Sequence, residues 1–501
     1  MNIEKSQLIR GAESDFVFIV GLEVHAQVRS KSKLFSSAST QFGAEPNSNV
    51  SFIDAGMPGM LPVVNSFCIE QAVKTGLGIN AEINLISRFD RKNYFYPDLP
   101  QGYQISQLYE PVVGKGKISI QTEEKLQKEV GIERIHLEQD AGKSIHDMDP
   151  TTSFVDLNRT GIALMEIVSK PEINSPFEAV EYIKKLRLIM RYLETCDGNM
   201  QEGSLRADVN VSVCEVNTFQ NFRKTGNYDL LGTRCEIKNM NSLKFIQQAI
   251  NFEARRQIKL IESGKQVEQE TRLYDPNKNE TRPLRSKEDA HDYRYFPDPD
   301  LLPVNLSQEQ IDKIKPLVGE LPQDKLNKYV DNYSLEKDIA KIIIAEKQNA
   351  NLFEKMISES TVKPKFIAAW LVGDIFAFIK ENNLEVNSLN DKTKDITDLL
   401  RLISDDVISN KAGKEILPKV LNGEGKPSEL VKELGLEQVS DSGELEKIID
   451  EALVGEEENI LKFQGGSDRV LGYFVGKCLK ATKGKGNPKL IYKILLERLK
   501  K

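Results

Sequence analysis

The chain contains 501 residues, of which 40% are hydrophobic and 29% are charged. This length is typical of about three folded domains, and the composition excludes a disordered protein, a collagen and a small disulfide-bonded scaffold. The formal net charge of −7 argues against a uniformly basic nucleic-acid-binding protein but allows a local basic patch.

Neither a membrane segment nor a disulfide framework is predicted. The longest strongly apolar run, Phe16 to Leu22, is far shorter than the roughly 18 to 20 residues that a membrane helix needs, and residues 1–15 lack the apolar core of a signal peptide. The five cysteines form no C-x-x-C pair, so we expect reduced, partly buried thiols. The sequence therefore predicts a cytoplasmic protein of enzyme size.

Strand patterns dominate the chain as far as Pro303, and helical spacing dominates after it. Within the strand-rich part, one helix is predicted to begin after Ser175 and another to run from Leu243 to Ser263. Turn-forming residues at 422–428 predict a second boundary. The predicted fold class is α+β, with a mixed domain at 1–303 and all-helical domains at 304–425 and 426–501.

Four predicted strands carry polar side chains on one face, because residues two apart on a strand point to the same side of a sheet. These polar faces hold Glu23, His25 and Gln27; His136, Glu138 and Asp140; Asp208, Asn210 and Ser212; and Arg234, Glu236 and Lys238. Each segment alone is also typical of an ordinary antiparallel strand with one solvated face. If the strands are neighbours, their carboxylates and an imidazole converge on a site suited to Mg²⁺ and phosphate.

Other features leave two interpretations open. The sequence has no G-x-x-x-x-G-K-[ST] loop and no G-x-G-x-x-G, so any nucleotide would be held by a sheet and a metal ion. The stretches 91–100 and 291–299 interleave aromatic rings and cations, which suits either nucleotide or RNA binding or plain loop packing. Residues 462–501 hold eleven basic and two acidic residues, a net charge of +9, which suits either RNA binding or a solvated helix surface.

Several motifs together closely resemble one known family. They are GLEVH at 21–25, the stretch 91–107, DLNRTG at 156–161, EGSLR at 202–206, KNMNS at 238–242 and HDYRYFP at 291–297. The family is the B subunit of aspartyl/glutamyl-tRNA(Asn/Gln) amidotransferase. The likeness runs from about Phe16 to the C-terminus, where 472–476 and 481–488 resemble the family's tail domain.

The resemblance implies a cradle-shaped N-terminal domain similar to the catalytic fold of glutamine synthetase, then a helical domain and a helical tail that contacts tRNA. It implies an ATP-dependent carbon–nitrogen ligase that phosphorylates the side-chain carboxylate of glutamate or aspartate on mischarged tRNA(Gln) or tRNA(Asn). Ammonia from glutamine then displaces the phosphate. The implied complex is a heterotrimer with an amidase A subunit and a small C subunit.

Site roles follow from the resemblance position by position. It implies metal binding by Glu23, His25, Glu138, Asp208 and Glu236. It also implies that Lys92 and Glu138 line the ammonia route, with Glu138 as its gate. To these we add Arg206 and Lys238, because cations beside metal-facing acids can bind nucleotide phosphate and stabilise its charge during transfer.

Two of the chain's departures from the family pattern bear on its cofactors and on the ammonia route. Many members have four zinc-binding cysteines where this chain has Ser36, Ala38, Ser51 and Asp54, so we expect no zinc. The cofactors that the resemblance implies are ATP and Mg²⁺. A frequent lysine at position 101 is Gln101 here, which removes one partner of a Lys–Glu charge pair in the ammonia route.

Two rival functions are considered beside the main one. The first is a non-catalytic tRNA-binding scaffold, which the intact set of five metal-site residues disfavours. The second is a free-standing carboxylate–amine ligase unrelated to RNA, which the basic tail disfavours. No motif separates Glu-tRNA(Gln) from Asp-tRNA(Asn) as the substrate.

Overall fold

The computed structural model describes residues 3–285, 292–438, 442–464, 469–482 and 485–499. The predictions for His291, Lys483 and Gly484 fall outside these ranges. The chain divides into two compact units, Met1–Pro322 and Gln323–Lys501. The first unit thus extends past residue 303, and the division into three functional domains stays a prediction.

The first unit is built on a large, mostly antiparallel sheet. The strands are β1 (Leu8–Arg10), β2 (Asp15–Gln27), β3 (Ile86–Ser87), β4 (Asp90–Asn93), β5 (Tyr103–Ser106), β6 (Gly116–Gln121), β7 (Gln127–Gln139), β8 (Lys143–Ile145), β9 (Phe154–Asp156), β10 (Ala163–Ser169), β11 (Leu205–Glu215), β12 (Cys235–Lys238), β13 (Thr271–Asp275), β14 (Glu280–Arg285), β15 (Phe296–Pro297) and β16 (Val304–Asn305). The main sheet has the order β14-β13-β12-β11-β2-β10-β7-β6, with β1 added beside β2. Its β12–β13 pair is parallel.

The first unit has five helices, α1 (Ser66–Gly78), α2 (Pro176–Leu193), α3 (Val216–Thr225), α4 (Leu243–Glu262) and α5 (Gln308–Ile314). Helices α1, α2 and α4 cover one face of the main sheet, α5 packs against α1, and α3 packs on the other face, where Phe219 joins Val17 and Ile19 of β2. The two predicted helices are confirmed as α2 and α4, and each begins where a serine side chain accepts a backbone hydrogen bond, Ser175 from Glu178 and Ser242 from Phe245. Apolar side chains of α1, α2 and α4 share one hydrophobic core with the sheet.

The alternation of β2 shows why the other face is polar. Leu22, Val24 and Ala26 are buried in the core beneath the helices, whereas Glu23 and His25 are only partly buried. The same alternation holds in β11 and β12. Because the period of a strand is two, burying the apolar set places Glu23, Asp208 and Glu236 together on the opposite face.

The C-terminal part of the chain is helical. Its helices are α6 (Pro322–Asp331), α7 (Lys337–Ile344), α8 (Lys347–Ser358), α9 (Pro364–Trp370), α10 (Phe376–Glu381), α11 (Thr393–Ser404), α12 (Asn410–Asn422), α13 (Pro427–Glu433), α14 (Ser442–Leu453), α15 (Glu457–Gln464), α16 (Arg469–Ala481) and α17 (Pro488–Leu499). One hydrophobic cluster spans Leu326 to Val431 and another Leu445 to Leu499. The α+β prediction is confirmed. Within the described ranges, no helix is long and apolar enough to cross a bilayer.

Candidate active site

The four acid-bearing strands lie close together in the main sheet. β12, β11 and β2 are direct neighbours, and β10 lies between β2 and β7. Glu23 stands directly opposite Asp208 in the β2–β11 pair, and Asn210 stands opposite Glu236 in the β11–β12 pair. The predicted polar faces therefore join into one acidic surface across neighbouring strands.

The inserted strand β10 contributes Glu166, a site residue that the sequence reasoning missed. Glu166 stands opposite His25 on one side and opposite His136 on the other. A Glu166 carboxylate oxygen lies 3.3 Å from His136 Nε2, and His25 Nδ1 lies 3.3 Å from a Glu138 oxygen. The available signal was a single acid in the middle of the apolar run 163–169, where burial without a partner would be costly.

His25, Glu138 and Glu166 form a compact group of potential metal ligands. One donor atom from each lies within 4.8 Å of the others. Two carboxylates and an imidazole leave room for water and phosphate oxygens, which Mg²⁺ prefers as its remaining ligands. In the part of the chain that the structure describes, this is the one group that meets this spacing. The residues present therefore fit a divalent cation.

The electrostatics of this group favour ionised carboxylates. Burial opposes ionisation of Glu138, but hydrogen bonds from His136 and His25 hold its pKa well below the usual range. Burial also opposes ionisation of Glu166, yet the charge of His136 lowers its pKa to about 2. Burial disfavours a charged His136, but the negative charge of Glu166 raises its pKa to about 9. Ionised carboxylates are the form that binds cations.

Glu23, Asp208 and Glu236 lie beside this group and have their own partners. The Lys238 ammonium bridges two of them, at 2.5 Å from Asp208 and 2.7 Å from Glu236. Glu23 accepts a hydrogen bond of 2.9 Å from Asn210, and burial and the charge of Glu166 raise its pKa. The five predicted metal residues thus share one face but divide into two adjacent sets.

The two sets are linked through His25, whose Nε2 lies 3.9 Å from Asp208. Lys238 stays positively charged between its acids. Burial works against that charge, but Asp208 and Glu236 together raise the pKa of Lys238. A fixed cation therefore lies directly beside the candidate metal ligands.

Arg206 and Lys92 extend the site in two directions. Arg206 stands opposite His25 in the β2–β11 pair, and its Nη2 lies 3.0 Å and 3.1 Å from the two oxygens of Asp140. Lys92 Nζ lies 5.0 Å from the ring centre of Tyr293. Burial disfavours the Lys92 charge, but the charge of Glu138 raises its pKa. Both cations are therefore held in charged form near the acidic surface.

The residues at the family's zinc positions do not fit zinc in this chain. Asp54 forms an ion pair of 3.0 Å with Lys33, and Ser36 Oγ donates to the same carboxylate at 3.0 Å. The backbone N–H of Ser51 donates to it as well, at 2.8 Å. A tetrahedral zinc site needs thiolate or imidazole ligands, and here an ammonium lies beside the carboxylate instead.

Gln101 makes two hydrogen bonds that a lysine could not make together. Its Nε2 donates to the Ile53 carbonyl at 2.9 Å, and its Oε1 accepts from Gln139 at 3.0 Å. Gln139 follows Glu138 on β7. Gln101 therefore ties the loop that carries Asp54 to the strand that carries Glu138, because its amide both donates and accepts.

These observations define a class of protein: a catalytic domain whose antiparallel sheet presents acids for a divalent cation, followed by a helical region. Residues 18–312 match the family model described as "GatB/GatE catalytic domain", and residues 351–499 match "GatB domain". The chain belongs to the family of the B subunit of aspartyl/glutamyl-tRNA(Asn/Gln) amidotransferase, as its motifs predicted.

Relatives named as this B subunit cover almost the whole chain. The protein from Ruegeria sp. (strain TM1040) is 52% identical over 497 residues, which are 99% of this chain and 98% of the relative. The protein from Dinoroseobacter shibae is 53% identical over 495 residues, with the same coverage of each chain.

Proposed function

We propose that this chain is the tRNA- and ATP-binding subunit of a tRNA-dependent amidotransferase that uses glutamine as amido donor. The observation that carries the proposal is the His25, Glu138 and Glu166 group on the open face of a domain of this family. The relatives' names point to aspartyl- and glutamyl-tRNA as substrates. The partners would be an amidase A subunit and a small C subunit in a cytoplasmic heterotrimer.

The reaction has two steps, phosphorylation of the carboxylate and displacement of the phosphate by ammonia. An oxygen of the side-chain carboxylate attacks the γ-phosphorus of ATP, the bond from that phosphorus to the bridging oxygen breaks, and ADP leaves with the electron pair. Ammonia then attacks the carboxyl carbon, the carbon–oxygen bond to phosphate breaks, and inorganic phosphate leaves while the nitrogen loses a proton. The product is Gln-tRNA(Gln) or Asn-tRNA(Asn).

The acidic surface provides the groups that this chemistry needs. His25, Glu138 and Glu166 would hold Mg²⁺, with Glu23, Asp208 and Glu236 beside them, and the ion supplies positive charge for phosphate oxygens. Lys238 and Arg206 would add fixed positive charge as phosphate-binding catalytic residues. Lys92 and Glu138 would line the route by which ammonia arrives. The tail at 426–501 would bind tRNA.

The decisive experiment assays the reconstituted complex with Glu-tRNA(Gln) and with Asp-tRNA(Asn) separately. We expect ATP-dependent amide formation with at least one of them. Glu236→Gln should abolish ATP-dependent activation, since it removes a charge from the acidic surface, while glutamine hydrolysis by the partner persists. The exposed Glu129, which lies on β7 away from this surface, supplies the control Glu129→Gln. Amidation unaffected by Glu236→Gln would favour the non-catalytic scaffold.

A further inference from the structure

Two tyrosine rings from distant parts of the chain face the ammonium of Lys92. Its Nζ atom lies 5.0 Å from the ring centre of Tyr293 and 5.8 Å from that of Tyr94. The two rings also contact each other edge to face, with centres 5.9 Å apart and planes 70° apart. Both lie within the roughly 6 Å over which a ring face attracts a cation, so this tyrosine pair forms two walls around Lys92.

The wall formed by Tyr94 is fixed by the neighbouring strands. Tyr94 follows β4, and its hydroxyl donates to Gln104 Oε1 on β5 at 3.3 Å. The Gln104 amide in turn donates to the Gln139 carbonyl oxygen on β7 at 2.8 Å, and Gln104 is buried. Gln139 follows Glu138, so the ring of Tyr94 is tied to the strand that carries a residue of the candidate site.

The wall formed by Tyr293 is tethered by the residue that follows Lys92. Asn93 Nδ2 donates to the carbonyl oxygens of Tyr293 and Arg294, at 3.1 Å and 2.9 Å. The backbone N–H of Asn93 donates to the Tyr293 carbonyl oxygen as well, at 2.9 Å. Asn93 therefore holds a segment that lies 200 positions later in the chain against β4.

Arg91, which precedes Lys92, makes a second tether to the same segment. Its Nε donates to Asp298 at 2.9 Å, and its Nη2 donates to Asp300 at 2.6 Å. Hydrogen bonds between two charged groups are roughly twice as strong as those between neutral groups. Both sequence neighbours of Lys92 thus bind the segment that carries Tyr293.

The backbone between the two tethers is strained at Arg294. Its φ is +43°, in the left-handed region that arginine adopts less readily than glycine or asparagine. Its N–H donates to Asp292 Oδ1 at 3.1 Å, and its carbonyl oxygen accepts from Asn93. A strained conformation persists only where the surrounding structure determines it. The turn that presents Tyr293 to Lys92 is therefore imposed by tertiary contacts rather than by local preference.

We propose that Tyr293 is a positioning residue for transamidation, which together with Tyr94 fixes the Lys92 ammonium on the ammonia route. The inference rests on the proposed function and deepens it. The tethers from Asn93 and Arg91 keep the ring of Tyr293 in place. A lysine side chain has a flexible stem, and it loses rotamer freedom when two ring faces hold its charge. Without the ring of Tyr293, the ammonium would move across the route, and ammonia would escape to solvent before it reaches the carboxyl carbon.

Tyr293→Leu and Tyr293→Phe test the assignment, because both remove the hydroxyl but only phenylalanine keeps the ring face. The complete complex is assayed for amide formed per glutamine hydrolysed, and separately for amide formation with ammonium chloride in place of glutamine. We expect Tyr293→Leu to lower the amide formed per glutamine roughly threefold or more and to leave ammonium-supported amidation within about twofold of wild type. Tyr293→Phe should retain both values.

Asn93→Ala gives an independent measurement if Tyr293→Leu does not fold, since it removes a tether and leaves both rings. It should lower the amide formed per glutamine by a similar factor. Tyr109→Ala, which removes an exposed ring of the same unit, is the matched control and should change neither value.

Three results would overturn the positioning role of Tyr293 while leaving the proposed function standing. The first is an unchanged amount of amide per glutamine in the folded Tyr293→Leu and Asn93→Ala variants. The second is an equal loss with glutamine and with ammonium, which would mean that the ring only supports the fold. The third is the same loss in Tyr293→Phe, which would assign the effect to the hydroxyl. A wild-type complex that forms no amide with either mischarged tRNA would instead overturn the proposed function itself.

Discussion

The ammonium nitrogen of Lys33 lies 3.0 Å from a carboxylate oxygen of Asp54, and the two side chains are 0% and 2% exposed. This buried ion pair occupies the region where related chains are expected to hold zinc. Ser36 and Ser51, at two more of the four zinc positions, complete the hydrogen bonds of the Asp54 carboxylate. The loop is thus held by an ion pair and by hydrogen bonds to the Asp54 carboxylate.

Breaking this pair should destabilise the first unit strongly. Asp54→Asn leaves the Lys33 charge buried without its partner, which typically costs about 3 to 5 kcal/mol. We expect a clear drop in the thermal unfolding midpoint. The double variant Lys33→Met with Asp54→Asn should lose less free energy of unfolding than the sum of the losses in the two single variants.

The exposed pair Lys117–Glu129, at 2.9 Å, is the matched control for this cycle. Lys117→Met should cost about 0 to 1 kcal/mol, because solvent screens the pair. If the loss of unfolding free energy in the double variant equals the sum of the two single losses, the two residues do not stabilise the loop as a pair.

A second prediction concerns zinc content. Ser36, Ala38, Ser51 and Asp54 offer no thiolate, so the purified chain should contain less than about 0.1 equivalent of zinc. Elemental analysis after dialysis against a weak chelator measures it. One equivalent of tightly held zinc would contradict the expectation.

A third prediction concerns Glu166. Glu166→Gln keeps the shape of the side chain but removes one charge from the group with His25 and Glu138, so affinity for Mn²⁺ as a Mg²⁺ substitute should fall about 10- to 100-fold. Titration followed by electron paramagnetic resonance reports free Mn²⁺ directly. Glu129→Gln, which changes an exposed acid on β7, should bind Mn²⁺ as tightly as wild type does. A Glu166→Gln variant with the wild-type affinity for Mn²⁺ would exclude Glu166 as a ligand.

A fourth prediction concerns the thiols, which the structure confirms as free and buried at all five cysteines. Burial raises the pKa of Cys68, Cys196 and Cys235 to about 12. At pH 8 a disulfide reagent should therefore react slowly with the native chain and rapidly with five thiols after denaturation, because only thiolates react. Fast reaction of one thiol in the native chain would locate a local opening.

The raised pKa values of the buried thiols also make the stability of the fold depend on pH. A thiol whose pKa is higher in the folded state stabilises the fold fully below its unfolded pKa of about 8.5, and this contribution is lost as the pH rises toward 12. Thermal midpoints measured from pH 8 to pH 10 should fall, and Cys68→Ser should show a smaller fall than wild type.

A fifth prediction concerns the basic tail. Lys477 and Lys489 already contact Glu456 and Asp406, each at 2.8 Å. Lys480, Lys485 and Lys493 are exposed, and replacing all three with glutamine should weaken tRNA binding and reduce the slope of log affinity against log salt by about 2. Truncating the tail would be less informative, because it removes buried residues of the last hydrophobic cluster.

Salt-dependent tRNA binding by the complex measures this effect. Replacing Lys337, Lys341 and Lys380, which are exposed on α7 and α10, is the matched control and should change neither affinity nor slope. Unchanged binding by the tail variant would mean that these lysines only solvate a helix surface.

The sequence alone determined which side chains share a face. Strand period fixes that Glu23 and His25 point the same way, and that Asp208 and Asn210 do too, once the apolar residues between them are buried. Capping serines likewise fixed where α2 and α4 begin. These are local properties, so a pattern of a few residues is enough to predict them.

Strand order, in contrast, was decided only by the tertiary structure. β10 enters the sheet between β2 and β7, and that position alone brings Glu166 between His25 and His136. The Lys33–Asp54 pair was missed in the same way: the two residues are 21 positions apart. Contacts between distant residues depend on how the whole chain packs, because their energy is gained only after long loops have closed.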